Sequence, residues 1–196
     1  YAYFGREFPG ALAHRGYDLE RILEQVYLGA DGIYGMPLGV SATFVIIIVV
    51  LGALLEKTGA SGVLMDVAVS MTRKSRGGPA KAAVVGSSLM GMISGTAVAN
   101  VLTTGTISIP LMKRAGYKPS VAGAVEAVAS TGGQLMPPIM GAAAFLMADI
   151  MEVPYLEITK SALLPAILFY IAVFWAVHLE ALKAGLKPLG LSLIHI

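Results

Sequence analysis

The chain has 196 residues, of which 56% are hydrophobic and 13% charged, with a formal net charge of +2 and no cysteine. A soluble domain carries about 25% charged residues, so this composition argues against an ordinary soluble enzyme and indicates an integral membrane protein. The missing cysteine excludes a disulfide-stapled secreted scaffold. The low net charge, without a dense basic tract, argues against a nucleic-acid-binding protein. We therefore expect that the chain is embedded in a lipid bilayer and has no nucleic-acid partner.

The first third of the chain predicts a surface segment, one transmembrane helix and a second helix. Residues 1–31 carry three arginines and five acidic residues, and helical spacing of apolar positions within them predicts a surface helix in an extracytoplasmic segment. Residues 32–57 contain 24 uncharged residues in succession. A transmembrane helix needs about 20 apolar residues, so they predict one crossing. Residues 58–81 predict an interfacial helix and a basic cytoplasmic loop.

The next uncharged run, residues 82–112, is 31 residues long and lies between basic clusters. Seven basic and no acidic residues fall in the range 73–118 outside this run, and cytoplasmic loops are enriched in Lys and Arg. Both ends of the run therefore belong on the cytoplasmic side. Its centre, SGTAVAN at 94–100, is small and polar. We predict a re-entrant hairpin of two half-helices of about 13 residues each. The alternative is one tilted helix, or two helices packed through small residues.

Residues 113–148 predict a basic loop followed by a broken transmembrane helix. The sequence GGQLMPP at 132–138 lies in the middle of the apolar run. Paired prolines remove backbone donors and paired glycines weaken a helix, and the residue before each proline avoids the helical region. We therefore expect a break near the bilayer midplane, with a simple proline kink as the alternative. Broken helices of this kind bind ions and anionic substrates in secondary transporters.

Glu126 is the one charge within this run, and an intramembrane carboxylate is a candidate functional group. The alternative is a packing carboxylate paired with a lysine or a backbone group. Residues 149–160 predict an acidic loop on the outer side. Residues 161–182 predict a last transmembrane helix that contains the whole of a 19-residue uncharged run, 161–179. Residues 183–196 form a tail, in which we expect the terminal LSLIHI to be non-native.

The run from Arg76 to Ile150 resembles the large permease of TRAP transporters (DctM-like), and more narrowly the fused small and large permeases of the TAXI type. The motifs that carry the resemblance are RGGPAK, SGTAVAN, IPLMKRAGY and AVEAVASTGGQLMPP. It extends over about residues 5–188. The family builds its transport domain from two inverted repeats, each with a hairpin and a broken helix. Because one such unit is present here, we expect a fragment whose partner is the remainder of the same permease.

The resemblance implies an all-α, multi-pass, elevator-type transporter of a bacterial or archaeal inner membrane. It implies sodium-coupled uptake of small organic anions, carboxylates, delivered by a periplasmic substrate-binding protein, with no cofactor besides the coupling ion Na⁺ and no catalytic residue. The alternatives left open are an intramembrane enzyme that uses the Ser94 or Glu126 region, and a structural or channel-like membrane subunit. The discriminating feature for an enzyme, a paired acid and base at matched depth, is not apparent.

The resemblance also implies a sodium site formed largely by backbone carbonyls of the hairpin and the break. Carried onto this sequence, the sodium-binding residues are Ser94, Gly95, Asn100, Gly133, Met136 and Pro138. The substrate-facing candidates are Thr96, Gly132, Gln134 and Pro137.

Overall fold

The computed structural model describes residues 2–7, 9–30 and 32–186. The predicted tail beyond residue 186, with LSLIHI, lies outside these residues. All regular elements in the described ranges are helical, and the chain forms two compact units that meet in sequence between Ile46 and Ile47. We number the α-helices in chain order: α1 Leu19–Leu23, α2 Met36–Val40, α3 Ile46–Lys57, α4 Ala60–Thr72, α5 Gly78–Ser94, α6 Ala97–Arg114, α7 Pro119–Gly132, α8 Ala142–Ile150 and α9 Tyr155–Lys183.

The first unit consists of short helical turns. The predicted surface helix is present as α1 followed by a π-helical turn, Glu24–Leu28, and α2 is likewise followed by a π-helical turn, Ser41–Val45. Where the structure describes burial in this unit, Gly5, Gly32 and Val40 are buried and the other residues are partly or fully exposed. The unit therefore covers little of its own apolar surface.

The second unit has a core of small side chains between α5, α6, α7 and α9. Its fully buried residues include Ala80, Ala83, Ala122, Ala129 and Ala181. Alanines let helix backbones approach closely, which is the usual way in which helices pack within membranes. In the connection between α6 and α7, the buried Tyr117 hydroxyl donates to the carbonyl of Gly77 at 3.5 Å. Burial, with Glu180 nearby, raises the pKa of Tyr117 to about 12.

Within the described ranges, α9 is the one helix long and apolar enough to cross a bilayer, with 29 residues and a mean hydropathy of 2.1 in its most apolar window. Only 17% of that window is buried by protein. The helix begins at Tyr155, inside the predicted acidic loop. Pro154 precedes it and disfavours helical backbone at the residue before, and Glu157 in the first turn favours a helix start. The predicted first span holds a shorter apolar stretch, Leu38–Leu54, so the multi-pass arrangement stays a prediction.

Helices α5 and α6 pack against each other and are joined by two residues. Gly95 ends α5 with a φ of +61°, which glycine adopts without strain. Thr96 precedes α6, and its hydroxyl accepts a hydrogen bond from the Ala99 amide at 3.3 Å, a common helix N-cap. The arms have 17 and 18 residues and are longer than the predicted half-helices. Helix α5 begins at Gly78, before the uncharged run, and α6 includes residues 97–100 of the polar motif.

The helix that starts at Pro119 is broken rather than kinked. Helix α7 ends at Gly132, a 3-10 turn follows at Gly133–Leu135, and α8 begins only at Ala142. Between them the chain is irregular, and the Gly141 amide closes this segment by donating to the Gln134 carbonyl at 2.8 Å. We call residues 133–141 the break. It lies where the paired glycines and prolines predict it.

Candidate functional site

The turn of the hairpin and the break contact each other through their main chains. A Cβ atom added at Gly95 would lie 2.2 Å from the carbonyl oxygen of Met140, and one added at Gly91 would lie 2.3 Å from the Cα atom of Gly133. No side chain can be accommodated at such distances, so glycine is required at both positions for this approach. The structure therefore brings together the two irregular segments that the sequence singles out.

Asn100 lies at this contact and is fully buried. Its amide nitrogen donates to the Ser87 carbonyl at 2.8 Å, which links the two arms of the hairpin. A Cβ atom at Gly133 would lie 2.8 Å from the same nitrogen, so Asn100 also faces the break. The N-cap of α6 is Thr96; Asn100 connects the hairpin to the break and does not cap the helix.

The hydroxyl of Ser94 is buried and has no hydrogen-bond partner in the described part of the chain. Buried polar atoms are nearly always paired, so an unpaired one beside irregular backbone is a feature of a ligand site. The oxygens that the contact offers to a ligand are those of the Ser94 hydroxyl and of main-chain carbonyls, the kind that hard cations prefer. The described residues contain no cluster of three His, Cys, Asp or Glu side chains that could hold another metal.

The remaining predicted sodium ligands lie along the break. The carbonyl of Gly133 accepts from the Met136 amide at 3.2 Å, which leaves one of its two lone pairs free. The carbonyl of Pro138 accepts from the hydroxyl of Tyr155 at 3.0 Å, and the same hydroxyl contacts the carbonyl of Ile139. Helix α9 thus holds the break through Tyr155, a residue that the sequence reasoning missed because an aromatic residue at the start of a span gives no sign of its partner.

The substrate-facing candidates lie in different surroundings. Thr96 is half-buried at the hairpin turn, Gln134 is exposed, and Pro137 is buried within the break. Gly132 contacts α9, since a Cβ atom there would lie 2.2 Å from the Phe169 ring. The structure places Thr96 at the contact of hairpin and break and Gly132 at the contact of α7 with α9.

Glu126 lies away from the break, fully buried among α5, α6 and α7. Among the described residues, neither a lysine nor a backbone group is paired with it. Its carboxyl group is hydrogen-bonded to four hydroxyls from all three helices, namely Thr104, Ser108, Ser130 at 3.1 Å and Ser87 at 3.4 Å. We call Glu126 and these four residues the hydroxyl cluster. The sequence reasoning missed the four partners, although Thr104 and Ser108, like Glu126 and Ser130, are spaced to share one helix face.

A helical hairpin packed on a broken helix, followed by an apolar helix of spanning length, is the architecture of membrane permeases of the secondary-transporter class. Residues 3–192 match the family described as the tripartite ATP-independent periplasmic transporter, DctM component, and the chain belongs to this family. The family consists of transporter permeases, so the alternative of an intramembrane enzyme is excluded.

Three relatives match parts of the chain. An uncharacterised protein, y4mL, of Sinorhizobium fredii is 31% identical over 60% of this chain and 28% of its own length. An uncharacterised protein, YgiK, of Salmonella typhimurium is 29% identical over 46% of the chain and 21% of its own. The C4-dicarboxylate TRAP transporter large permease protein DctM of Pseudomonas aeruginosa is 36% identical over 44% of the chain and 20% of its own. The matches thus span between 20% and 28% of these relatives. No solved structure matches the chain.

Proposed function

We propose that the chain is part of a permease for sodium-coupled uptake of small organic anions, delivered by a periplasmic substrate-binding protein. The family membership supports transport, and the relative from Pseudomonas aeruginosa named for C4-dicarboxylates supports a carboxylate substrate. A small permease component, the rest of the same permease and the inner membrane complete the proposed assembly. In this proposal the hairpin and the broken helix carry the substrate across the membrane together, by an elevator motion.

The sodium ion in this proposal lies between the hairpin turn and the break. The observation that carries it is the buried, unpaired hydroxyl of Ser94 next to irregular backbone. The carbonyls of Gly95, Gly133, Met136 and Pro138 are the other proposed main-chain ligands. Asn100 is proposed to bind through its side-chain oxygen, which would have to turn from Thr104 to the break. These groups supply oxygens without a counter-charge, which suits a monovalent cation that must also be released.

The substrate in this proposal lies on the outer side of the same contact. Helices α6 and α8 both begin beside it, at Ala97 and Ala142, and helix N-termini favour anions through their free amides and dipoles. Thr96 can offer its hydroxyl, and Gln134 its side-chain amide, to a carboxylate. Pro137 would shape this side of the site without offering a polar side chain, whereas Gly132, packed on the Phe169 ring, would act by keeping α7 close to α9.

The test is Ser94→Ala in the complete permease, reconstituted in proteoliposomes with its binding protein and assayed for sodium-dependent uptake of a labelled dicarboxylate. Removing a ligand should raise the half-saturating sodium concentration about tenfold, equivalent to about 1.4 kcal/mol. Ser88→Ala is the matched control, because the Ser88 hydroxyl donates to the Val85 carbonyl in its own helix at 2.7 Å. Asn100→Ala should show the same loss. Unchanged sodium activation in both Ser94→Ala and Asn100→Ala would refute the sodium site.

A further inference from the structure

An open groove of about 320 Å³ lies between α5 and α9. Its walls come from these two helices and from the break, and include Val85, Ser88, Met136, Ile171, Phe174 and Trp175. Ile171 and Trp175 are 60% and 61% exposed, so the described part of the chain leaves the groove uncovered. It belongs neither to the contact of hairpin and break nor to the hydroxyl cluster.

The two hydroxyl groups in the walls of the groove are already used within the protein. The Ser88 hydroxyl donates to the Val85 carbonyl at 2.7 Å, and the Tyr170 hydroxyl donates to the Ala129 carbonyl at 2.9 Å. The other polar side chain in the walls is the indole of Trp175, a ring that is enriched where a membrane meets water. An occupant therefore meets an apolar surface along most of the groove.

The groove is too narrow to contain a helix. Helix α9 rises about 10 Å between Ile167 and Phe174, which both line the groove, so its volume corresponds to a mean cross-section of about 30 Å². A helix with its side chains is about 10–12 Å across and needs about 80–110 Å². A helix could lie over the rim of the groove without filling it, whereas a single extended hydrocarbon chain fits inside.

Lys81 lies at one end of this groove. It precedes Val85 and Ser88 by one and two turns of α5 and shares their helix face, and its ammonium group lies over the Phe174 ring at 5.1 Å. Lys81 is 4% exposed, and no carboxylate of the described residues is paired with it. Burying an unpaired charge is costly, and a ring face offsets a part of that cost. An anion at this end of the groove would offset more of it.

Further basic side chains lie at the same end. A Cβ atom at Gly77 would lie 2.4 Å from the Ala181 side chain, so the start of α5 and the end of α9 are at one level. The exposed Arg76 and Lys183 are next to this contact in sequence. Basic pockets between membrane helices favour the headgroups of anionic lipids.

We propose that the groove binds one acyl chain of an anionic phospholipid, with the lipid phosphate at Lys81 and the chain extending to Met136 in the break. The two ends follow from the contacts of α5, which meets Phe174 through Lys81 and the break through Gly91. The bound chain would cover the side of the break that α9 leaves open. This inference goes beyond sodium-coupled uptake and does not depend on it.

The experiment is native mass spectrometry of the complete permease in detergent, titrated with phosphatidylglycerol or phosphatidylcholine that carry the same acyl chains. The wild type should bind phosphatidylglycerol about fivefold more tightly, the effect of about one basic side chain on an anionic lipid. Lys81→Gln should abolish this preference and Lys81→Arg should keep it. Lys74→Gln is the control, because Lys74 is exposed and does not line the groove.

Three results overturn the proposal. They are equal binding of the two lipids by the wild type, a preference that survives Lys81→Gln, and an equal loss of preference in Lys74→Gln. None of these measurements involves transport or sodium, so their outcome is separate from that of the sodium site.

A second pair of variants tests the groove itself and does not alter a buried residue. Ile171→Trp should fill the groove and weaken the binding of both lipids. Leu168→Trp should leave binding unchanged, because Leu168 is 57% exposed on α9 and does not line the groove. Equal lipid binding by these two variants would place the lipid elsewhere and reject the proposal.

Photo-crosslinking identifies what covers the groove in the membrane. The complete permease is made with benzoylphenylalanine in place of Ile171 and is illuminated in its native membrane. An adduct with the mass of a phospholipid supports the proposal. A crosslink to another segment of the permease would show that protein covers the groove, and the proposal would then be wrong.

Discussion

Gly91 and Gly133 determine how closely the hairpin approaches the break. The contact between them is backbone to backbone, and neither position can take a side chain without moving a helix. Cores tolerate a lost atom by partial collapse, but an added atom at this distance forces a shift of the main chain. At the scale of single residues, the site therefore depends on the absence of side chains at Gly91 and Gly133 as much as on the polar groups around them.

The substitution Gly91→Ala should lower stability by about 1–3 kcal/mol through overpacking against Gly133. Gly123→Ala is its control, because that position lies in α7 with nothing within 4 Å of an added Cβ atom. There the higher helix propensity of alanine should stabilise the protein by up to about 1 kcal/mol. Thermal unfolding of both variants of the complete permease measures the difference. Equal midpoints for the two variants would contradict the close contact seen here.

At the scale of elements, the break is held from two sides. The hairpin turn contacts it through Gly95, and α9 contacts it through Tyr155, whose ring also stacks on Phe145 at 4.2 Å between centroids. Irregular backbone at membrane depth is tolerated only where protein or a water-filled cavity surrounds it. The one proton of the Tyr155 hydroxyl is shared between two carbonyls that the helix no longer pairs, those of Pro138 and Ile139.

Tyr155→Phe should keep the ring stack and remove this hydrogen bond. A bond worth about 1 kcal/mol should make the amides of Ile139 to Gly141 exchange with solvent about fivefold faster. Tyr170→Phe is the matched control, because its hydroxyl binds the carbonyl of Ala129 in α7. Hydrogen exchange followed by mass spectrometry measures both. Equal exchange of the break in the two variants would remove Tyr155 from this role.

The sequence is informative about these elements where the pattern is local. The paired glycines and prolines at 132–138 predict the break because each acts on its own backbone. The lengths of the hairpin arms are mispredicted because residues 97–100 of the motif are helical and α5 begins as early as Gly78. Asn100, the polar residue among these four, is used in a contact to α5. The partners of Glu126 on the other helices are 18, 22 and 39 residues away. Such contacts depend on how helices pack, which hydropathy does not encode.

At the scale of the whole molecule, the distribution of charged residues predicts on which side of the membrane the two ends of the hairpin lie. Basic residues lie before α5 and after α6, whereas acidic residues lie between α8 and α9 and at the start of α9. The arms, at about 1.5 Å per residue, are close to the thickness of the apolar core. Arms of this length could each cross the membrane, so it is the charge distribution that predicts a hairpin returning to the cytoplasmic side.

Single cysteines test this arrangement, since the chain has none of its own. In a complete permease with any other cysteines removed, Lys74→Cys and Lys118→Cys should react with a membrane-impermeant thiol reagent from the cytoplasmic side only. Glu152→Cys should react from the outside only. All three positions are exposed, so burial of the cysteine would not explain a failure to react with the reagent. Labelling of positions 74 and 118 from opposite sides would show that the hairpin region crosses the membrane.

The contact between Gly91 and Gly133 also constrains which sequences can replace this one. Where two side chains are in contact, the extra volume of a larger residue can be compensated by a smaller neighbour, so the two positions can change together by substitution. Here neither partner has a side chain to give up. A second mutation that rescues Gly91→Ala must therefore act at a distance, by letting a helix shift its axis, and the two glycines can change only together with the path of the backbone.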